Sequence, residues 1–581
     1  MTTLGDEMTT NPFDTLVETL QGKLLGETAG QDNDIRVFKG IPYALPPVGI
    51  RRWTPPEPAP AWQGTRLAKA YSPQAMQATT PESFGVALGQ TSEDCLYLNV
   101  WTPVKESLAQ KGAEPPANLD KEPSADKYKE PDEKLPVMVW IHGGSYRWGS
   151  GEINGVPLAS KGVVLVSMNY RHGLFGYLAH PELSAESPHH SSGNYAILDQ
   201  IQALKWVQDN IAAFGGDPGR VTVFGCSSGS SSLHALVTSP LAKGLFHQVI
   251  AESGSQYFPC RGLSEPLHGA QSAEELGLVF SRDAGANSLG ELRAMTADQL
   301  VQVADTADNG DFYKKSGNIV DGWVLPDQPL NISRRGEQHP VNVMAGFTAN
   351  DGNVVAMLGY AEKLPNTAEA YTAEIEKRYG DLADTYLKLY PASDIVESFF
   401  NALRDRAFGW ASESWVRHTA AVGAQAYLYC FAHTPMDGHL MLPIPGLMRE
   451  WAYGAGHGAE MPYVFNDPMS HPSSDQYPPT EGDFAMADII SDYWVAFAKA
   501  GKPDVKGLPA WQAYTDDVRH YIRFEDAAAQ PGQNLLPGMW ELMDEDVNRR
   551  LTLPGVGRDY YAVGIASPVL PLPKAQNKVS T

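Results

Sequence analysis

Residues 221–238, VTVFGCSSGSSSLHALVT, limit the fold of this chain more than any other stretch. An apolar run with strand character enters Gly225-Cys226-Ser227-Ser228-Gly229, and a helical pattern leaves it. In that setting G-x-S-x-G carries chemistry. The turn is so tight that its central residue takes a strained backbone, and the residues around it must be glycine or small. The helix that starts there directs its free amides toward developing negative charge. Strand, sharp turn and helix belong to an α/β arrangement, so the remaining chain should supply a sheet with helices over it.

The neighbouring stretches do so. LPVMVWIHGG (135–144) and VVLVSMNYR (163–171) are apolar on both faces, as central strands of a parallel sheet are. IRVFKGIPYA (35–44), LYLNVWTP (96–103), FHQVIAESG (246–254) and VNVMAGFT (341–348) add further strands. LDQIQALKWVQDNIAAFG (198–215) keeps Ile201, Leu204, Val207 and Ile211 at helical spacing, and ADIISDYWVAFAKAG (487–501) reads as a second amphipathic helix. The expected fold is α/β, a mostly parallel central sheet flanked by helices. Residues 1–565 are expected to form one catalytic domain. Within it, 105–134 reads as a solvated charged insertion, 265–340 and 360–450 as helical pocket-forming regions, and 566–581 as a disordered tail.

A serine nucleophile needs a base and an acid that orients the base. In this fold the chain order is serine, acid, histidine. Asp351 follows a strand in TANDGN, and His457 lies in the glycine-rich loop YGAGHGAEMPYVF. Ser227, Asp351 and His457 are therefore the candidate triad. Ile141-His142-Gly143-Gly144-Ser145 closes a strand with the H-G-G-x pattern, whose backbone amides can hold an oxyanion. Cys226 sits one position before the tip of the turn and reads as a small packed side chain, not a nucleophile. Tyr146, Arg147 and Trp148 follow the oxyanion loop and are candidates for the pocket entrance. Arg147 is a candidate for meeting a substrate carboxylate.

Charge excludes several classes. The formal net charge of -24 should repel nucleic acid and anionic membranes. No run approaches the ~20 apolar residues of a membrane span, and the N-terminus lacks a signal-peptide pattern, so a cytoplasmic enzyme is expected. None of the four cysteines forms a C-x-x-C pair, and neither metal nor organic cofactor is expected. The expected partner is a small-molecule ester; monomer and homodimer are not distinguished.

FKGIPYALPPVGIRRWTPPEP, SEDCLYLNVWTP, VMVWIHGGS, NYRHGLFGYL, LDQIQALKWVQDNIAAFGGDPGRVTVFG, LFHQVIAESGS and HGAEMPYVF together resemble the type-B carboxylesterase/cholinesterase family of the α/β-hydrolase superfamily. The resemblance covers most of residues 20–560. It implies Ser227 as nucleophile, His457 as base, Asp351 where the family usually has glutamate, and Gly144, Ser145 and Ser228 as oxyanion amides. The family elbow usually reads G-E-S-A-G; here Cys226 replaces its glutamate and Ser228 its alanine. Ser145 stands where the family has a third glycine. The family's early disulfide joins a cysteine near SPQ to the one in SEDC; Ser72 takes the first place, which leaves Cys95 unpaired and favours a reducing compartment. Ser72 to Glu93 lacks the tryptophan that binds choline in the cholinesterases, so weak turnover of choline esters is expected. Carboxylic-ester hydrolysis through an acyl-enzyme is the implied function. Amide or carbamate hydrolysis uses the same triad and stays open. An interfacial lipase and a non-catalytic binding protein on this fold rank below it.

Overall fold

The computed structural model describes residues 15–77, 89–104, 134–257, 259–267, 271–305, 317–355, 364–435, 454–471, 474–550 and 573. The charged stretch 105–134, Lys134 apart, and the tail 566–581, Pro573 apart, lie outside the described residues.

Eleven strands build the main sheet. In chain order they are β1 (Glu27–Ala29), β2 (Ile35–Pro42), β3 (Tyr97–Pro103), β4 (Leu135–Ile141), β5 (Val164–Met168), β6 (Gly216–Cys226), β7 (Gln248–Glu252), β8 (Asn342–Thr348), β9 (Ala426–Phe431), β10 (His520–Glu525) and β11 (Ala528–Gln533). Their spatial order is β11-β10-β9-β8-β7-β6-β4-β5-β3-β2-β1. From β10 to β5 the pairs are parallel. Both edges are antiparallel.

The apolar runs are apolar because both faces are covered. Val137, Val139 and Ile141 of β4 pack in one core with Ile201, Leu204 and Val207 of helix α1 (Tyr195–Asn210). Met138 and Trp140 point the other way and pack with Ile490 and Trp494. The last two belong to a long helix near the C-terminus, Glu481–Ala500. Burying each such side chain stabilises the fold by about 1.5–3 kcal/mol. The long helix begins six residues before the expected Ala487, because Thr480 caps it. Thr480 Oγ1 accepts the Asp483 amide at 3.3 Å and the Asp483 carboxylate accepts the Thr480 amide at 2.7 Å.

Among the described residues of 265–340, helices such as Ala273–Asp283 and Pro329–Arg334 lie beside a short strand, Ile319–Val320. Among the described residues of 360–450, read as helical, the run AYLYCF is a strand. It is β9, buried between β8 and β10. A six-residue apolar run has too few turns to separate strand from helix by periodicity.

β6, β7 and β8 lie side by side with their carboxyl ends together: Cys226 pairs with Glu252, and Glu252 with Gly346. Helix α2 (Ser228–Thr238) leaves directly from the end of β6. The carboxyl edge of a parallel sheet is where such folds place their sites.

Candidate active site

Ser227 sits between the last residue of β6 and the first of α2, at φ 59° and ψ -123°. This is a strained conformation for a residue with a side chain. Neighbouring segments hold it there. The Ser227 amide donates to the Glu252 carbonyl at 2.8 Å, and the Ser231 amide donates to the Ser227 carbonyl at 2.9 Å. A Cβ at Gly225 would come within 2.5 Å of the Ile141 carbonyl oxygen, and one at Gly229 would strike the same oxygen. The two glycines let the elbow press against the end of β4.

The loop from His142 to Tyr146, the candidate oxyanion loop, lies against the elbow. A Cβ at Gly143 would be 2.6 Å from the Cys226 carbonyl oxygen and 3.2 Å from Ser227 Cβ. Gly144, Ser145 and Tyr146 follow at φ 111°, 55° and 63°. The carbonyl of Gly144 accepts the amides of Arg147 at 2.9 Å and Trp148 at 3.1 Å. The amide of Tyr146 donates to Ser228 Oγ at 3.2 Å, joining the loop to the first residue of α2. His142 behind the loop is buried and stacks on Tyr170 at 4.4 Å, and Tyr170 donates its hydroxyl to the His142 carbonyl at 2.6 Å. Burial pulls the His142 pKa down to about 4, so this ring is neutral.

Asp351 follows β8 and is fully buried. Its Oδ1 is 2.6 Å from His457 Nδ1. Its Oδ2 accepts the Thr348 amide and the Ser253 hydroxyl, each at 2.8 Å. The loop carrying His457 is tied to the same place, for the Asn350 amide donates to the Ala455 carbonyl at 2.9 Å. Phe408 lies against the His457 ring at 5.1 Å. Burial lowers the His457 pKa, but the hydrogen bond and charge of Asp351, with the charge of Glu460, outweigh it and leave the pKa above the usual histidine value. A Cβ at Gly458 would lie 3.9 Å from Cys226 Sγ, so the histidine loop and the elbow are also in contact.

Behind the acid lies a group of side chains that sequence reasoning did not single out. Ser253 Oγ is 2.8 Å from Asp351 Oδ2 and 3.2 Å from Glu460 Oε1. Glu252 accepts the Trp494 indole N–H at 2.7 Å. One oxygen of each glutamate, Glu252 Oε2 and Glu460 Oε2, is buried without a hydrogen-bond partner. Desolvation and the Asp351 charge push Glu460 up to about 7, and desolvation and Glu460 push Glu252 well up. The signal was present in AESGS and HGAEMPYVF, but a lone glutamate in a motif does not say that it will be buried.

Cys226 faces this group. Burial, followed by Glu460, Glu252 and Asp351, raises its pKa, so it is a thiol. A thiol is a poor nucleophile. Cys95, Cys226, Cys260 and Cys430 are buried, and no two of them are joined in a disulfide. Arg147 is half-buried with its guanidinium 5.4 Å from the centre of the Trp148 ring, and Tyr146 donates its hydroxyl to Gln256 Oε1 at 2.9 Å.

The fold and this geometry can be set beside known proteins. The pattern of the carboxylesterase family matches residues 14–537. The chain is 36% identical to the fumonisin B1 esterase of Sphingopyxis macrogoltabida, over 84% of its own length and 83% of that protein's. It is 30% identical to liver carboxylesterase 1 of Oryctolagus cuniculus, over 90% of its own length and 91% of that protein's. Among solved structures it resembles a carboxylesterase of Geobacillus stearothermophilus with a TM-score of 0.72 and 30% identity, covering 91% of this chain and 100% of that one.

Proposed function

The chain belongs to the carboxylesterase family and is a carboxylic-ester hydrolase of the α/β-hydrolase fold, and on that premise we propose that Ser227, His457 and Asp351 form its catalytic triad. The observation that carries this reading is the 2.6 Å contact between His457 Nδ1 and the buried Asp351, in a loop that also touches the elbow holding Ser227.

His457 takes the proton of Ser227 as the hydroxyl attacks the ester carbonyl. Asp351 holds the ring with Nδ1 protonated, which leaves Nε2 to act as base, and steadies the imidazolium that forms. The amides of Gly144, Ser145 and Ser228 hold the oxyanion. This assignment is supported by the left-handed turn of the loop and by Ser228 being the first residue of α2. His457 then protonates the leaving alcohol, and water releases the acyl group by the same steps. Tyr146 and Arg147 contact substrate beyond the loop, with Arg147 facing an acidic portion. Four buried cysteines that form no disulfide favour a reducing compartment, and the cytoplasm is the proposed location.

The test is hydrolysis of p-nitrophenyl acetate, butanoate and octanoate by the wild type and by Ser227→Ala, with fumonisin B1 as a further ester. Loss of turnover and of fluorophosphonate labelling in the variant is expected. Undiminished turnover by Ser227→Ala would overturn the assignment. Arg147→Ala should weaken any preference for acidic over neutral esters; an unchanged preference would remove Arg147 from the pocket.

A further inference from the structure

Three segments distant in sequence bring polar side chains together next to the oxyanion loop. Tyr146 directly follows Ser145, and its amide is held by Ser228 Oγ. Gln256 ends the segment after β7. In that segment the Ser255 carbonyl accepts the Ser231 hydroxyl at 3.1 Å, which ties it to the first turn of α2. Asn318 immediately precedes the short strand Ile319–Val320. Asn194 fixes that strand by two hydrogen bonds, its Nδ2 to the Ile319 carbonyl at 2.8 Å and its Oδ1 from the Ile319 amide at 3.0 Å.

Gln256 Oε1 receives two donors: the Tyr146 hydroxyl at 2.9 Å and Asn318 Nδ2 at 2.9 Å. Those bonds set which way the Asn318 amide points. Its other atom, the acceptor Oδ1, is buried with no hydrogen-bond partner, and the residue is 1% exposed. An unpaired buried acceptor is costly, and the matching group is a hydrogen-bond donor. Tyr146, the residue after Ser145, is half-buried.

The side of the ester that this cluster meets follows from the proton path. The leaving oxygen must face His457, which is backed by Phe408 and Asp351. The contacts of the cluster run instead to Tyr177, which meets Tyr146 ring to ring at 5.2 Å, and to His234 on α2, which accepts the Gln256 amide at 3.2 Å. With the leaving oxygen at His457, the acyl group lies on the other side of the scissile carbonyl. We infer that Tyr146, Gln256 and Asn318 form an acyl-side polar subsite that selects acyl groups bearing a hydroxyl or amine over plain alkyl chains. The inference rests on the Ser227 reading and adds a substrate class to it.

The experiment compares p-nitrophenyl 3-hydroxybutanoate with p-nitrophenyl butanoate, which share a leaving group. Each kcat/KM is divided by the uncatalysed rate. The wild type should prefer the hydroxylated ester by about tenfold or more, since a site holding an unpaired acceptor discriminates against an analogue without the donor. Asn318→Leu should bring the ratio close to one. Asn318→Asp, which keeps the acceptor, should retain the preference. A fluorophosphonate labels the folded site in each variant. A wild-type ratio at or below one would overturn the subsite, and so would a ratio unchanged in labelled Asn318→Leu. Should the wild type hydrolyse neither ester and take no label, the Ser227 reading itself would fall, and the subsite with it.

Discussion

The two halves of the site are held in opposite ways. Around Ser227 the geometry is made by backbone: glycines at 143, 225 and 229, a left-handed loop, and amides that bond to neighbouring carbonyls. Around His457 it is made by buried side chains. Asp351, Ser253, Glu252 and Glu460 come from the ends of β7 and β8 and from the loop after Gly454. The backbone half tolerates almost no added atoms. The side-chain half responds to charge and to protons, because it places three carboxyl groups in a dry pocket, with His457 beside Asp351.

Breaking the side-chain half at its centre should have the largest effect. Asp351→Asn replaces the acceptor at His457 Nδ1 with an amide and favours the wrong tautomer. Steady-state kinetics on a p-nitrophenyl ester should show kcat about 10³–10⁴ lower. A loss under tenfold would mean that Asp351 is not the orienting acid. On the backbone half, Gly143→Ala pushes a methyl into the Cys226 carbonyl, and kcat should fall about 10²–10³ as the loop leaves the elbow. Unchanged kcat would show that the close approach is not needed.

Ser253→Ala should act more gently. It removes one bond to Asp351 Oδ2 and one to Glu460, and the expected loss in kcat is about tenfold. Glu460→Gln sharpens the comparison through pH. In the proposed triad His457 acts as the neutral ring, and Glu460 helps to raise its pKa, so the acid limb of the rate profile should move to lower pH in the variant. Stability should also change. The folded-state pKa of Glu460 is raised to about 7, so its contribution is full below the unfolded value of about 4.3 and is lost as pH rises through about 7. Glu460→Gln should therefore gain Tm relative to wild type as pH rises through that window. A difference independent of pH would show that Glu460 does not titrate there. The smallest effect is expected from Ser145→Gly. Releasing a left-handed non-glycine residue should stabilise the protein by about 1 kcal/mol in denaturant unfolding. No gain would show that the loop carries no strain at this position.

The same division explains what could be read before the structure. The elbow, the H-G-G-S loop and the order of Ser227, Asp351 and His457 were legible because each leaves a local mark, in glycines, in strand ends and in chain order. β9 was not, because AYLYCF is too short for its period to show. Ser253 and Glu460 were not, because a carboxylate acquires its role only from what surrounds it. Asn318 stood in a stretch read as pocket-forming, but its meeting with Gln256 and Tyr146 spans 62 and 172 positions of chain.

The sequence by itself determined an α/β-hydrolase chain with a serine at a strained turn and a glycine loop ready to close on it. Those features arise from backbone freedom and apolar periodicity, which are properties of neighbouring residues. The tertiary structure alone decided which oxygen Asp351 turns to His457, that Glu252 and Glu460 share a dry pocket with it, and that Asn318 is left with an unpaired acceptor. Burial and pairing across the sheet set those outcomes, and neither exists until distant segments meet.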